Sequence, residues 1–168
     1  MWIERENLNS PAHYRWMTHL IVPRPIAWIL TRNANGSCNL APFSFFNAVT
    51  SNPPIVSVSI GRRPNGDKKD TWRNLERTGM AMIHLPSMQE LDEVNQSAKP
   101  LAPEASEIDA QQLPLVEEPD IPLPRLASAH AALFCRLHAV HEVGHGRQGL
   151  ILCEVERLFL HPKLGIDH

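Results

Sequence analysis

The chain lacks the features that mark several large protein classes. Its three cysteines, Cys38, Cys135 and Cys153, are widely spaced and odd in number, which is the pattern of neither a disulfide framework nor a zinc site. No apolar run approaches the roughly 20 residues that a membrane-spanning helix needs. With a net charge of −2, no global basic field indicates nucleic acid binding. The N-terminus is too polar for a signal peptide, so we expect a soluble cytoplasmic protein with reduced thiols.

The amino-acid composition of the chain is that of a globular protein. It has 168 residues, of which 43% are apolar and 20% are charged, and we expect one domain over residues 1–168 with a sizeable core. The amino-acid composition changes at residues 100–124, where six of the fifteen prolines and six acidic residues occur. This composition predicts a surface excursion, or lid, without regular structure.

Hairpin signals and alternating apolar residues predict a mainly β fold with short helices. Asn35-Gly36 is a strong hairpin signal, and it follows the apolar strand predicted at residues 25–31. Further strands are predicted up to about Leu40 and at 55–60, 80–86, 133–143 and 150–161. Helices are predicted to begin at Ser10 and at Ser87, and between them a helix is predicted with Asp70 or Thr71 as its N-cap and Gly79 as its stop. The predicted buried face of strand 133–143 carries Leu133, Cys135, Leu137, Ala139 and Val143. This pattern favours a small antiparallel barrel over an alternating β/α sheet.

The segment "NLAPFSFFNAVTSNPP", residues 39–54, follows neither a helical nor a strand period. It holds three of the five phenylalanines among small residues, prolines and amides, and we expect it to be irregular. One interpretation is that its phenylalanines simply pack the barrel. The other is that aromatic bulk, small residues and amides together contact a ligand.

The series "RPIAW", "NLAPFSFFN", "NPP" and "KDT" resembles the flavin reductase-like family of FMN-binding split barrels, over roughly Ile21–Leu160. The resemblance implies an FMN-binding split β-barrel and a homodimer that holds FMN near the subunit interface. A flavin ring needs close backbone approach, amides at its polar edge and bulk beneath its apolar face. The FMN phosphate needs charge-assisted donors or a helix N-terminus.

Eleven residues are the cofactor contacts that follow from this resemblance. The flavin edge is assigned to the backbone of residues 39–41 and 44–45 and to the Ser44 hydroxyl. The phosphate is assigned to hydroxyl, backbone and cationic groups of residues 59–62 and 69–71, and to the Thr31 hydroxyl. The set is Thr31, Asn39, Leu40, Ala41, Ser44, Phe45, Ser59, Gly61, Arg62, Lys69 and Thr71. Asp70 would repel phosphate, so we interpret it as a helix cap or as a partner of Arg or Lys. The alternative is that residues 61–69 form a solvated basic loop.

The histidines do not predict a metal site. His138 and His141 would point to opposite faces of the predicted strand, and His145 lies in a turn. Family members often place a histidine in the last strand close to the flavin. Here the aligned position holds Phe159, and His161, two residues later, is the candidate for a proton-donor role.

The resemblance implies an enzyme, an NAD(P)H-dependent flavin oxidoreductase that transfers a hydride from NADH or NADPH to FMN. The alternative is an FMN-carrying electron-transfer protein without NAD(P)H activity of its own. An amine oxidase of pyridoxamine-phosphate type fits the motifs less well. Expected partners are a second copy of the chain, flavin and nicotinamide, and a downstream monooxygenase or other electron acceptor. Neither nucleic acid nor a membrane is expected as a partner.

Overall fold

Seven antiparallel strands form the main sheet of the computed structural model, which describes residues 1–164. The strands of this sheet are β1 (Ala27–Arg32), β2 (Cys38–Phe43), β3 (Phe46–Ser51), β4 (Pro54–Ile60), β5 (Met80–His84), β8 (Ala131–Val143) and β9 (Gln148–Leu160). A separate two-stranded sheet pairs β6 (Leu115–Val116) with β7 (Arg125–Leu126). The helices are α1 (Ser10–Leu20), α2 (Asp70–Thr78), α3 (Leu91–Ser97) and α4 (Glu107–Gln111). No described helix is long and apolar enough to cross a membrane.

The main sheet is rolled so that its two edges approach each other. The strand order is β2-β1-β5-β8-β9-β4-β3, which places β2 and β3 at opposite edges. These two strands are nevertheless consecutive in the chain and are separated only by Ser44 and Phe45. The Phe45 carbonyl also accepts a hydrogen bond of 2.8 Å from the Ser59 N–H of the neighbouring β4. The sheet is therefore an incompletely closed barrel, as the sequence predicts.

Apolar clusters cover both faces of the sheet. In β1, Ala27 and Ile29 belong to one cluster with Trp72 and Leu75 of α2, whereas Trp28 and Leu30 belong to the other. A strand buried on both faces has no polar side to alternate with. This explains the continuous apolar run in "PIAWIL" and confirms the predicted buried strand.

The segment of residues 39–54 is regular, which corrects the prediction of an irregular segment. It forms most of β2 and all of β3. The alternation of apolar and polar residues does not predict these two strands, for a different reason in each. Residues 47–51 of β3 are all exposed, and most of β2 is buried on both faces. Neither strand therefore has the half-buried pattern that alternation detects.

Residues 100–124 contain more structure than the sequence predicts. They include α4 and β6, and the side chains of Ile108 and Leu123 are buried in the cluster that contains Trp28. The segment, called the excursion below, is thus packed against the barrel. Its apolar anchors are too widely spaced among prolines and acidic residues to form a recognisable period.

The predicted buried face of β8 is correct at first and wrong beyond Leu137. The pairing with β9 shifts register between Phe134 and Cys135 and again between Leu137 and Ala139. After the second shift Val140 packs on the core, and Val143 is exposed. A β-bulge of this kind reverses the side-chain alternation that the sequence suggests.

The ends of α2 agree only in part with the sequence. Gly79 ends the helix with a left-handed φ of 71°, as predicted. The residue at the N-cap is Lys69, rather than Asp70 or Thr71, and it makes no side-chain cap bond.

The buried side chain of His84 makes the free energy of unfolding depend on pH. Its Nδ1–H donates to the Trp28 carbonyl at 3.0 Å, its Nε2 accepts from the Leu126 N–H at 3.0 Å, and burial lowers its pKa from 6.5 to about 4. The unfolded chain binds the proton more readily, so His84 contributes stability above its unfolded pKa that is lost as the pH falls towards 4. We expect wild type to lose about 2 kcal/mol from this group between about pH 7 and pH 5.

Urea unfolding of wild type and His84→Gln at several pH values measures this loss. The glutamine variant is expected to be less stable at neutral pH and to depend less on pH over this interval. Parallel pH profiles for the two proteins would contradict the assignment.

Candidate functional site

Two adjoining cavities lie where the rolled sheet edges meet α2. The first has a volume of about 460 Å³ and the second about 380 Å³, and both are lined by Pro42, Phe43 and Lys69. The first continues between residues 62–64, the start of α2, the end of α3 and the excursion. The second lies over the link between β2 and β3. A ligand with two chemically different ends can therefore span them.

Nine of the eleven predicted contact residues line these cavities. In the first cavity they are Asn39, Ala41, Arg62, Lys69 and Thr71, and in the second they are Ser44, Phe45, Ser59, Gly61 and again Lys69. The fold thus brings together residues from β2, β4, α2 and the loops between them. The fold therefore places most of the residues implied by the resemblance around one pair of cavities.

Thr31 and Leu40 lie behind the cavity wall. Both are fully buried, and neither lines either cavity. The Thr31 hydroxyl oxygen accepts hydrogen bonds from the Asn39 and Asn74 amides, at 3.2 and 3.1 Å. The Leu40 N–H donates to Glu107 Oε2 at 2.9 Å. These groups support the wall from within the chain.

Lys69 is the cation at the junction of the two cavities. Its Nζ lies 5.8 Å from the centre of the Phe43 ring, and no carboxylate of residues 1–164 is within salt-bridge distance. Burial, and then the neighbouring Arg63, lower the pKa of Lys69. Lys69 remains exposed over much of its surface, but its ammonium group has no counter-charge among the described residues, and an anion in the cavity would stabilise it.

The two arginines of this loop differ in how their donors are used. All three guanidinium nitrogens of Arg62 donate within the chain, to Glu142, Gly66 and Arg147, and the group lies over the Trp72 ring. Arg63 donates from its Nη atoms to Asp70 and to the Leu101 carbonyl, whereas its Nε is buried without an acceptor among the described residues. A buried donor without an acceptor is rare and indicates a ligand or water position.

Asp70 is neutralised by two arginines. Arg63 and Arg73 both form ion pairs with its carboxylate, which confirms its interpretation as a partner of arginine. Because the two guanidinium groups surround this carboxylate, it no longer opposes an anion at the start of α2 as strongly as an isolated aspartate would.

Glu107, in the excursion, completes the wall of the first cavity. It is only 8% exposed, and it ties α4 to β2 through the Leu40 N–H. Burial raises the pKa of Glu107, and the hydrogen bond from Leu40 acts in the opposite direction. Ser106 adds a second tie, because its hydroxyl donates to the Cys38 carbonyl at 2.7 Å.

The second cavity has an aromatic and hydroxyl-bearing lining. The rings of Tyr14 and Phe45 lie 6.2 Å apart, and the Arg24 guanidinium is 5.9 Å from the Phe45 ring centre. Arg24 also donates to the Ser44 hydroxyl at 3.4 Å. A flat ring with polar edges is a suitable occupant of such a lining.

The histidine and cysteine candidates lie apart from the cavities. His161 follows β9, where its ring packs 5.8 Å from that of His130, and it lines neither cavity. No group of three potential metal ligands occurs among residues 1–164. Cys38 is buried, and burial raises the pKa of its thiol, which is the environment of a structural cysteine rather than a nucleophile.

The family of the chain follows from its sequence match. The family model described as "Flavin reductase like domain" matches residues 17–166. The chain belongs to the flavin reductase-like family. An uncharacterized protein, BH2278 from Halalkalibacterium halodurans, is 36% identical over 144 residues, which cover 86% of this chain and 69% of the relative.

Solved structures agree with this assignment. Nitrilotriacetate monooxygenase component B from Bacillus cereus superimposes with a TM-score of 0.92 at 30% identity, over 98% of this chain and 83% of that one. A protein with a split barrel domain from Shewanella frigidimarina superimposes with a TM-score of 0.82 at 18% identity, over 96% and 80% of the two chains. The predicted flavin reductase split-barrel fold is confirmed.

Sequence reasoning missed three residues of the site for identifiable reasons. Arg63 adjoins Arg62, and only the fold shows that Arg63 has a guanidinium nitrogen without an acceptor among the described residues. Glu107 lies in a proline-rich segment that has no clear period. Tyr14 is the only tyrosine, but its distance along the chain from residues 44–45 hides their contact.

Two substitutions at Glu107 separate its charge from its hydrogen bond. Glu107→Gln retains an acceptor for the Leu40 N–H and removes a buried charge, so we expect equal or greater stability at neutral pH. This advantage shrinks as the pH falls towards the raised pKa of Glu107, because the wild-type carboxyl group then becomes protonated. Glu107→Leu leaves the N–H unpaired and is expected to cost about 1–3 kcal/mol. Urea unfolding checks both variants, and a glutamine variant less stable than the leucine variant would contradict the assignment.

Proposed function

We propose that the two cavities together hold FMN and that the protein transfers a hydride from NADH or NADPH to this flavin. The observation that carries the proposal is Lys69, an ammonium at the junction of the cavities that has no carboxylate of residues 1–164 within salt-bridge distance. Arg63 also lines the first cavity and adds a second cation beside an anion bound there.

The residues present fit the chemical parts of FMN. Lys69, Arg63 and Thr71 would hold the phosphate, where Asp70 is already neutralised by its arginines. Ser44, Phe45 and Ser59 line the cavity that would receive the ring. Bound flavin supplies the hydride-accepting chemistry, and the chain supplies position, polar contacts and exclusion of water. No described side chain is required as an acid or base.

Family membership supports an oxidoreductase. The match to the flavin reductase-like family covers residues 17–166, and the component B structure belongs to a monooxygenase system. By analogy, we propose that the reduced flavin or its electrons pass to a downstream monooxygenase or other acceptor. An FMN-carrying electron-transfer protein is the alternative, and oxidation of NADH or NADPH with added flavin distinguishes the two.

We also propose a homodimer that closes over the ring end of the site. Around β3 and the end of α1 lies an exposed apolar surface that includes Leu20, Ile21, Val22 and Val49. A groove in this surface is lined by Ser44 and Phe45, which also line the second cavity. A second copy seated here would bury the exposed apolar side chains and cover the flavin.

Three alanine variants test the phosphate assignment. We expect Lys69→Ala and Arg63→Ala to weaken FMN binding by about 1.5–3 kcal/mol each, because a charge-assisted contact is lost, and to leave riboflavin binding nearly unchanged. Arg62→Ala is the matched control, since each guanidinium nitrogen of Arg62 already donates within the chain and its charge is paired with Glu142. Flavin fluorescence titration measures all six affinities. Equal losses for FMN and riboflavin, or an effect of Arg62 alone, would contradict the assignment.

The oligomeric state tests the second part of the proposal. Light scattering at micromolar concentration is expected to give about twice the chain mass of 18.9 kDa. Leu20→Glu places a charge in the apolar surface and should yield a monomer with weaker flavin binding. Met88→Glu, at another exposed apolar position, is the control and should remain dimeric. A wild-type monomer that binds FMN tightly would refute the shared site.

A further inference from the structure

The side chain of Trp72, in the first turn of α2, rests on a strand residue that has no side chain. Trp72 is fully buried, and a Cβ added to Gly149 of β9 would lie 2.7, 2.8 and 2.9 Å from three carbons of the indole ring. These separations are well inside the optimal carbon–carbon distance of about 3.5–4.0 Å. Gly149 is not among the glycines with a positive φ, so the space above it, and not its backbone freedom, requires a glycine here.

Several contacts hold the indole ring in this orientation. Its Nε1–H donates to Glu76 Oε1 at 3.0 Å, and the same carboxylate accepts from Lys68 Nζ at 2.7 and 2.8 Å. The Lys68 ammonium and the Arg62 guanidinium lie 4.8 and 5.0 Å from the ring centre. Rotation of the ring away from Gly149 would break these contacts, so the ring and the strand stay pressed together.

The strand beneath the ring is less free to move than the helix. β9 pairs with β4 on one side and with β8 on the other, and Gly149 itself lies opposite Ile60 and Glu142. The helix packs on the sheet through the apolar side chains of Trp72 and Leu75. A change in the space between the indole ring and Gly149 therefore displaces the start of α2 rather than the strand.

Such a displacement changes the distance between the two ends of the site. Lys69 and Thr71 line the first cavity at the start of α2, whereas Ser44 and Phe45 line the second cavity from the link between the sheet edges. A ligand that reaches from this link to α2 needs one particular separation of its ends. A ligand without the anionic end does not, because nothing in it has to meet the helix.

We propose that the contact between Trp72 and Gly149 sets the distance between the phosphate end and the ring end of the site, with both as positioning residues. The inference rests on the proposed function, because it takes a phosphate to bind at the start of α2. It goes further by assigning a role in specificity to two residues that line neither cavity. The contact makes the site selective for a flavin whose phosphate stands at one fixed distance from the ring.

The experiment measures the ratio of FMN to riboflavin affinity by flavin fluorescence titration. Gly149→Ala is expected to lower this ratio about tenfold, because the start of α2 is displaced and a charge-assisted contact to the phosphate is weakened. Gly146→Ala, in the turn before β9, is the matched control and should preserve the ratio, since a Cβ there meets no atom within 4 Å. Trp72→Phe alone leaves a gap above Gly149 and should also lower the ratio. In the double variant Gly149→Ala/Trp72→Phe the smaller ring makes room for the methyl group, and the ratio should exceed that of either single variant.

The outcomes separate this inference from the proposed function. If wild type binds FMN no better than riboflavin, the phosphate end of the site is overturned, and the inference with it. If wild type prefers FMN but Gly149→Ala weakens both flavins equally, or if the double variant is no better than the two single variants, the inference alone is overturned. Should Gly149→Ala fail to fold, Trp72→Phe tests the same contact from the helix side, and an unchanged ratio there overturns the inference equally.

Discussion

Two residues, Ser44 and Phe45, join the two edge strands of the sheet, and the position of the cavities follows from that connection. A link this short forces the opposite edges of a seven-stranded sheet to meet at one corner. The corner leaves a gap that neither edge strand fills, and α2 and the excursion border it. The ligand position is thus a consequence of how the barrel is left incompletely closed.

Charge at this corner is arranged locally, although the chain as a whole is slightly acidic. Four cationic and two acidic side chains line the first cavity. One of the acidic groups, Asp70, is neutralised by two arginines, and burial raises the pKa of the other, Glu107. The net charge of the side chains that line the cavity is therefore positive. Because the cavity is partly shielded from water, this positive charge attracts an anion more strongly than it would on the open surface. A net charge of −2 gives no hint of it.

The sequence predicts many strands and turns of the fold because their signals are local, whereas the candidate site residues come from the resemblance to the family. Asn35-Gly36, the strand residues of β1 and the left-handed Gly79 each determine structure within a few neighbours. By contrast, the bulges in β8, the burial of Ile108 and the pairing of Glu107 with Leu40 depend on contacts between distant segments. For the same reason, the sequence does not distinguish the roles of Arg62 and Arg63. The two adjacent arginines differ only in the partners that the fold places beside them.

Anaerobic reduction of the FMN-loaded protein by NADH or NADPH tests the central claim most directly. If the chain places flavin for hydride transfer, one of the two nicotinamides should bleach the absorbance of the oxidised flavin. The rate should rise to saturation with nicotinamide concentration, as expected for a bound complex. A protein that binds FMN tightly but is reduced no faster than free FMN by either nicotinamide would contradict the account.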